Sequence, residues 1–226
     1  MTGFLYPFLD HGEQSGSASA DTGAADALLA DLADSARAKA ADSARLQEST
    51  LAECGPLIDA AAEQLAGRFA RGGRLYTFGN GGSSTDAATL AALFSTPARG
   101  RPLPAWSLAA DQAVLTALGN DIGFDVVFSR QLIAHARPGD IAAALSTSGN
   151  SEDLTVALAE ARKRGLLTLG FAGYDGGRMA ASGDVDYCFT VRSQSVHRIQ
   201  ESQAVVGYRL WEATQQHLTN GEHRVH

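Results

Sequence analysis

Short apolar runs, each followed by a turn rich in glycine or serine and then by a helical stretch, alternate through most of this 226-residue chain. Such alternation is typical of β-α-β units, in which helices join parallel strands and cover both faces of one sheet. Five runs follow the pattern: 74–78 (RLYTF), 103–108 (LPAWSL), 140–145 (DIAAAL), 166–171 (LLTLGF) and 185–191 (VDYCFTV). The sequence therefore predicts the α/β class, with a doubly wound, five-stranded parallel sheet.

Helical spacing of apolar residues predicts the remaining elements. Within the alternating region, helices are expected over about 83–95, 111–119, 123–136, 151–164 and 176–182, with a long final helix over about 196–218. Ahead of the first strand, two further helices are expected over about 24–48 and 51–71, and Gly72–Gly73 ends the second one.

The N-terminal segment has a different composition. Residues 10–24 (DHGEQSGSASADTGA) are small and polar, and such a segment buries too little apolar surface to offset the entropy of ordering. We expect a flexible segment over 1–24, a single domain over 25–222 that includes the N-terminal helices, and a tail over 223–226.

Charge and cysteine content exclude several classes of function. With 18 basic against 25 acidic residues the net charge is -7, which disfavours direct contact with nucleic acid. No apolar run approaches the length of a membrane-spanning helix, and no secretory signal precedes the domain. Cys54 and Cys188 lie far apart in no zinc-binding spacing, so both are interpreted as structural thiols. These features favour a cytoplasmic protein.

The first predicted strand leads into Gly79–Asp86 (GNGGSSTD), which contains Asn80 and Ser83. Glycines allow a ligand to approach the backbone closely, and hydroxyls lie at the start of a helix. A tight turn with a serine or threonine helix cap explains the same residues equally well. The loop lacks the lysine of a phosphate-binding Walker loop and does not fit GxGxxG. Taken alone, it leaves both interpretations open.

The third predicted strand leads into a turn with four hydroxyl side chains in six residues, Ser146, Thr147, Ser148 and Ser151. Hydroxyls and free backbone N–H groups at the start of a helix suit a phosphate. Because a helix cap needs only one hydroxyl, the composition favours a ligand site. In a parallel sheet this turn and the first loop lie at the same carboxyl edge, so one can hold phosphate while the other orients sugar hydroxyls.

Five segments resemble the phosphoheptose isomerase branch of the sugar isomerase (SIS) domain family in order and spacing. They are GNGGSSTDA, GNDIGFDVVFSRQL, LSTSGNSEDLTVAL, GYDGG and HRIQE, and the resemblance covers roughly residues 45–219. It implies a flavodoxin-like fold, a sugar phosphate ligand and a homotetramer. One relative is a noncatalytic protein that binds a replication initiator, so the resemblance also implies a protein partner as an alternative. It also assigns the four hydroxyl residues to phosphate, and to the sugar it assigns Asn80, Ser83, Asp111 and Gln200.

Some of these assignments have a structural alternative. Asp121, in the matching GND turn, is as well explained by a local turn, and Gln200 by a hydrogen bond within its helix bundle.

The catalytic residues of the resembling family are missing. The family's Glu and His on the helix after the first loop correspond to Leu93 and Thr89, and its second His to Tyr208. Zinc-binding members use the same cluster, of which only Gln200 remains, so we expect neither metal nor cofactor. Candidate replacements are His197, Glu201 and Asp86. Of these, His197 is the one catalytic candidate, and it is weak because an exposed histidine at the start of a helix explains it equally well.

Two functional hypotheses follow. The first is a sugar-phosphate sensor or regulatory module, favoured by the missing acid, base and metal ligands. The second is an active aldose–ketose isomerase, acting on sedoheptulose 7-phosphate or a similar sugar phosphate, with a rearranged acid/base pair. A purely structural role leaves the hydroxyl-rich turn unexplained.

Overall fold

The protein is described by a computed structural model that covers residues 18–223. The chain divides into two compact units, one up to Asp42 and one from Ser43 onward. Helix α1 extends over Ala18–Ala70, and residues 18–24 of the predicted flexible segment are therefore helical. Residues 1–17, and residues 224–226 of the predicted tail, lie outside the described part of the chain, and the expected domain boundaries stay a prediction.

Helix α1 is one element of 53 residues where the sequence predicts two. The two apolar stripes are separated by Gln47–Thr50, which contains neither glycine nor proline, so no residue there ends the first helix. Pro56 lies inside the helix, where it removes one backbone donor, and the helix nevertheless continues to Ala70.

Within the first unit, the leucines of the predicted N-terminal stripe, Leu28, Leu29 and Leu32, are exposed. Arg37 and Asp34 form an ion pair one turn apart on the same helix.

In the second unit, all five predicted strands are present and pair in parallel. They are β1 (Leu75–Gly79), β2 (Ala105–Ser107), β3 (Ile141–Leu145), β4 (Leu167–Gly173) and β5 (Tyr187–Val191). The strand order is β2-β1-β3-β4-β5, with Leu75 of β1 opposite both Ala105 and Ile141. This is the flavodoxin-like order, so the predicted fold class is confirmed.

The helices of the second unit follow the predicted order. They are α2 (Gly82–Ser95), α3 (Gln112–Asp121), α4 (Val127–His135), α5 (Glu152–Lys163), α6 (Gly177–Ala181) and α7 (Val196–His223), with a 3₁₀ turn over Phe124–Val126 before α4. The expected helix over 123–136 is shorter at both ends, and α7 extends beyond the expected end at 218. None of the helices described is long and apolar enough to cross a membrane.

Two hydrophobic clusters cover the two faces of the sheet. One includes Phe69 of α1, Phe94 of α2 and Trp211 of α7, and the other includes Phe128 of α4 and Leu158 of α5. Strands β1, β3 and β4 are buried along their whole length, which explains why their sequences are continuous apolar runs.

Both thiols belong to this interior. Cys54 is buried and Cys188 is half-buried, and burial raises the pKa of each thiol. Both therefore stay protonated and unreactive near neutral pH.

The strand order reverses between β1 and β3. From β1 the chain passes to β2 on one side, and then returns to place β3 on the other side. In open α/β sheets, ligands bind in the crevice outside the carboxyl ends of the strands at such a reversal. The loops that begin at Gly79 and Ser146 flank this point, and these are the two loops singled out from the sequence.

Candidate functional site

The hydroxyl-rich turn over 146–151 connects β3 to α5. The Ser146 hydroxyl accepts a hydrogen bond from the backbone N–H of Gly149 at 3.0 Å, and that of Ser148 accepts one from Asn150 at 3.2 Å. Because both oxygens act as acceptors, both O–H protons stay available to donate. The Ser151 side chain occupies the cap position of α5 but makes no capping hydrogen bond. The turn thus presents hydroxyl donors at the start of a helix, as a phosphate requires.

Two glycines of the GYDGG segment, Gly176 and Gly177, pack against the backbone of this turn. Gly149 has φ +66°, and a β-carbon on it would lie 2.1 Å from the carbonyl oxygen of Gly176. A β-carbon on Gly177 would lie 2.5 Å from the carbonyl oxygen of Ser148. Only glycine allows this backbone contact, so the segment has a packing role that its composition alone does not reveal.

The first loop is tied to the second by Asn80. Its Nδ2 donates to both carboxylate oxygens of Asp153, at 3.1 and 2.8 Å. Asp153 is only 5% exposed, and burial raises the pKa of its carboxyl group, although the hydrogen bond from Asn80 acts in the opposite direction. Sequence analysis missed Asp153, whose only signal is its position as an acidic residue in the first turn of α5.

Helix α7 contacts the first loop through Gln200. Its Nε2 donates to the Asp86 carboxylate at 2.8 Å, and a β-carbon on Gly82 would lie 2.5 Å from the same nitrogen. The structural alternative for Gln200, a hydrogen bond to a neighbouring helix, is therefore present, because Asp86 lies on α2. Ser83 is buried in the first turn of α2.

Other candidate residues have local roles. Asp111 is exposed and caps α3, accepting from the backbone N–H groups of Ala113 and Val114 at 3.0 and 3.1 Å. Asp121 accepts a hydrogen bond from the side chain of its neighbour Asn120 at 2.6 Å, in agreement with the local-turn alternative.

On α7, His197 is exposed, and Glu201 accepts a hydrogen bond from the Ser43 hydroxyl. The functions proposed for these two residues remain predictions. The same holds for the ligand contacts assigned to the two loops, including those of Thr147, which is half-buried.

The three positions that the resemblance matches to the family's catalytic residues line one small cavity between α2 and α7. Its volume is about 60 Å³, and Thr89, Leu93 and Tyr208 form part of its wall. The remaining lining residues are Asp86, Leu90, Leu145, Phe171, Gln203, Ala204 and Gly207. The wall is predominantly apolar, with Asp86 as the one carboxylate among these residues. The Tyr208 hydroxyl accepts a hydrogen bond from Arg99.

The residues around this cavity do not fit the zinc ion of the resembling family. Zinc sites in proteins are built from imidazole, thiolate and carboxylate ligands, and Thr89, Leu93 and Tyr208 supply none of these beside Gln200. No group of three or more His, Cys, Asp or Glu residues within the described ranges is arranged to hold a metal ion.

The strand order and the polar turns at the reversal define an α/β protein of the flavodoxin-like class. More narrowly, the chain belongs to the SIS domain family, whose profile matches residues 40–173.

Individual relatives agree with this assignment. The chain is 43% identical to the phosphoheptose isomerase of Rhodospirillum rubrum over 162 residues, covering 71% of this chain and 85% of that protein. It is 44% identical to that of Desulfovibrio desulfuricans over 187 residues, or 80% of this chain and 86% of the relative. The solved phosphoheptose isomerase of Neisseria gonorrhoeae has a TM-score of 0.76 at 32% identity, covering 82% of this chain and 99% of that one. The family predicted from the sequence is thereby confirmed.

Proposed function

We propose that this protein binds a phosphorylated sugar at the strand-order reversal and acts as a sensor or regulatory module that does not isomerise its ligand. The hydroxyl-rich turn over 146–151 supports binding, because it offers hydroxyl donors and a helix start to a phosphate. Asn80 and Gln200 are proposed to contact the sugar. The names of the relatives, all phosphoheptose isomerases, support a sugar phosphate as ligand.

The observation that carries the noncatalytic proposal is the cavity lined by Thr89, Leu93 and Tyr208. Aldose–ketose isomerisation moves a proton between adjacent carbons, so it needs a base beside them and an acid at the carbonyl oxygen. Leucine and threonine supply neither group, and each lost acid or base typically lowers the rate by ~10²–10⁴. The Asp86 carboxylate in the same wall accepts the Gln200 hydrogen bond, which opposes its use as a free base.

A second candidate function is the isomerase with a rearranged acid/base pair. The observation that favours it is Asp153, a buried carboxyl group beside Asn80 whose pKa is raised by burial. Raised carboxyl pKa values suit proton transfer near neutral pH. Asp153 or Asp86 is then the base, with His197 as the partner acid.

Proton NMR in D₂O separates the two candidates. Sedoheptulose 7-phosphate is mixed with a near-stoichiometric amount of protein and followed for hours. We expect line broadening of the sugar signals without loss of the protons beside the carbonyl, because binding occurs without proton transfer. Exchange of those protons, with an aldose product, overturns the noncatalytic proposal and directs mutagenesis to Asp153, Asp86 and His197.

A gain-of-function variant gives an independent test of the same point. Thr89→His, Leu93→Glu and Tyr208→His together return an acid and a base to the cavity wall. If the missing groups are the reason for inactivity, the triple variant exchanges solvent deuterium into the sugar faster than the unaltered protein by ~10² or more. Equal exchange in the two proteins contradicts that reason, provided that both bind the sugar.

The homotetramer, the cytoplasmic location and an alternative protein partner are carried forward as proposals that rest on the family resemblance. Sedimentation equilibrium tests the first: a species of four times the 23.6 kDa chain mass is expected, and a monomer contradicts it.

A further inference from the structure

The hydrogen bonds between Asn80 and Asp153 leave one atom of the Asn80 side chain without a partner. The Nδ2 atom donates to both carboxylate oxygens of Asp153, at 3.1 and 2.8 Å. Within the described part of the chain, the Oδ1 atom of Asn80 accepts no hydrogen bond, and unlike the unpartnered Oε1 of Gln203 it is not sealed from solvent. This oxygen can therefore accept a hydrogen bond from a ligand.

Asp153 decides which end of the Asn80 amide faces the carboxylate. An ionised carboxylate only accepts hydrogen bonds, so it requires the NH₂ group of the amide on its side. The carbonyl oxygen of the same amide then points away from Asp153. Because Asp153 is only 5% exposed, a reversed amide would place two acceptors against each other with little water to satisfy them, which costs free energy.

Both residues lie beside the proposed phosphate turn. Asn80 directly follows β1, and Asp153 lies in the first turn of α5. Strands β1 and β3 are neighbours in the sheet, with Gly79 opposite Leu145 at their carboxyl ends. The accessible oxygen of Asn80 therefore belongs to the same sheet edge as the turn that begins at Ser146.

This arrangement distinguishes the two ends of a sugar phosphate. The oxygens of a phosphate dianion are acceptors, so they cannot bond to the carbonyl oxygen of Asn80, and the charge of Asp153 repels them. A sugar hydroxyl can donate to that oxygen. The turn over 146–151 offers the hydroxyl donors that a phosphate needs. The phosphate end thus fits the turn, and a hydroxyl end fits Asn80.

From this geometry we infer that Asp153 is a positioning residue, which orients Asn80 as an acceptor for a hydroxyl group of the ligand. It acts through Asn80 and lets the site distinguish a sugar phosphate from inorganic phosphate. Because the phosphate must occupy the 146–151 turn, this role rests on the proposed function.

The test compares the affinities of sedoheptulose 7-phosphate and inorganic phosphate in calorimetry, because only the sugar has hydroxyls for Asn80. Asn80→Ala is expected to weaken sugar-phosphate binding about fivefold, the size of one neutral hydrogen bond, and to leave phosphate binding unchanged. Asp153→Ala is expected to reduce the preference for the sugar phosphate over inorganic phosphate by a similar factor. Using the ratio of the two affinities corrects for the carboxylate charge, which acts on both ligands.

The double variant of Asn80→Ala and Asp153→Ala separates positioning from a direct role. If Asp153 acts through Asn80, its removal causes no further loss of preference once Asn80 is absent, so the two effects are not additive. Glu152→Ala is the matched control. Its carboxylate lies in the same helical turn but pairs with Arg178 at 2.6 Å, so the ratio of affinities is expected to stay unchanged.

The outcomes distinguish this role from the proposed function. An unchanged ratio in Asp153→Ala, parallel weakening of both ligands, or additive losses in the double variant overturns the positioning role and leaves the phosphosugar site in place. Absence of binding of both ligands to the unaltered protein overturns the proposed function together with this role. If Asp153→Ala does not fold, Asp153→Leu, which keeps the side-chain volume but has no acceptor, takes its place.

Discussion

The hydroxyl-rich turn after β3 and the cavity wall formed by α2 and α7 lie next to each other but differ in chemistry. The turn carries Ser146, Ser148 and Ser151, whose oxygens are engaged only by nearby backbone N–H groups or not at all. The wall is predominantly apolar and carries Leu93 and Phe171. One region presents hydroxyl groups at the start of a helix, whereas the other presents mainly apolar side chains.

The proposed phosphate turn and the cavity wall are thus built largely from different elements of this fold. The turn joins β3 to α5 and contacts the backbone of Gly176 and Gly177, while most of the wall consists of side chains on α2 and α7, with Leu145 of β3 and Phe171 of β4 completing it. Substitutions at Thr89, Leu93 and Tyr208 are therefore expected to leave the turn undisturbed. The four predictions below test this separation, from the largest expected effect to the smallest.

The largest effect is expected for Ser148→Ala combined with Ser151→Ala. Each hydroxyl is expected to donate to a charged phosphate, and a hydrogen bond to a charged group is worth ~1.5–3 kcal/mol. Losing two weakens sugar-phosphate binding by ~10²–10⁴, as measured by calorimetry. Ser49→Ala, at an exposed hydroxyl on α1, is the control and leaves affinity unchanged. Unchanged affinity in the double variant contradicts the assignment of the turn to phosphate.

Gly149→Ala is expected to destabilise the turn itself. The new β-carbon meets the Gly176 carbonyl at 2.1 Å, and alanine is strained at φ +66°. The free energy of unfolding should fall by ~2–4 kcal/mol in urea denaturation.

The control for the glycine variant is Gly139→Ala, where φ is +95° but no atom lies within 4 Å of the added carbon. It carries the left-handed strain without the clash, so a loss of ~1–2 kcal/mol is expected. Equal losses in the two variants mean that contact with Gly176 does not support the turn.

Asp111 separates capping from sugar binding. Asp111→Ala removes the cap of α3 and is expected to lower the free energy of unfolding by ~1 kcal/mol, whereas Asp111→Ser keeps a capping oxygen and stays near the original stability. If the carboxylate also contacts the sugar, both variants lose affinity in calorimetry. Unchanged affinity in Asp111→Ser restricts the residue to its cap.

The smallest effect is a change in the pH dependence of stability at Asp153. Because burial raises the pKa of this carboxyl, the folded protein binds more protons than the unfolded chain just above the ordinary carboxyl pKa. Its contribution therefore falls as pH rises from that value through the raised pKa. Asp153→Asn, which can still accept from Asn80, should flatten this decline in thermal unfolding measured from about pH 4 upward.

Asp186→Asn provides the control of opposite sign. Burial raises the pKa of Asp186, but the hydrogen bonds from Thr168 and the ion pair with Arg162 together lower it by more, so the net shift of this pKa is downward. Its stabilisation is present above the ordinary carboxyl pKa and is lost as pH falls through the lowered value. The variant should lose stability at neutral pH and little at low pH. If Asp153→Asn changes the pH dependence of stability in the same direction as Asp186→Asn, burial does not raise the pKa of Asp153.

Much of the fold follows from local sequence. The runs that became β1, β3 and β4 are buried on both faces, and a strand of that kind is continuously apolar. The division of α1 into two helices was wrong, because apolar periodicity marks where a helix is buried and not where it begins or ends.

The candidate site was predictable only in part. The turn over 146–151 was recognisable because its hydroxyls are consecutive in the chain. Asp153 was missed because its partner, Asn80, lies 73 residues away, and a single acidic residue in a first helical turn is ordinary. The resemblance assigned Asp111 to the sugar, and only the structure revealed that its side chain caps α3.

The sequence alone determined the α/β class, the two loops at the sheet edge and the family, because these depend on composition, periodicity and motifs that are local in the chain. Only the tertiary structure decided that Thr89, Leu93 and Tyr208 share one cavity, that Asn80 binds Asp153, and that Gly176 contacts the hydroxyl-rich turn. These contacts join elements that are distant in sequence, and which atoms meet there depends on packing between helices and sheet.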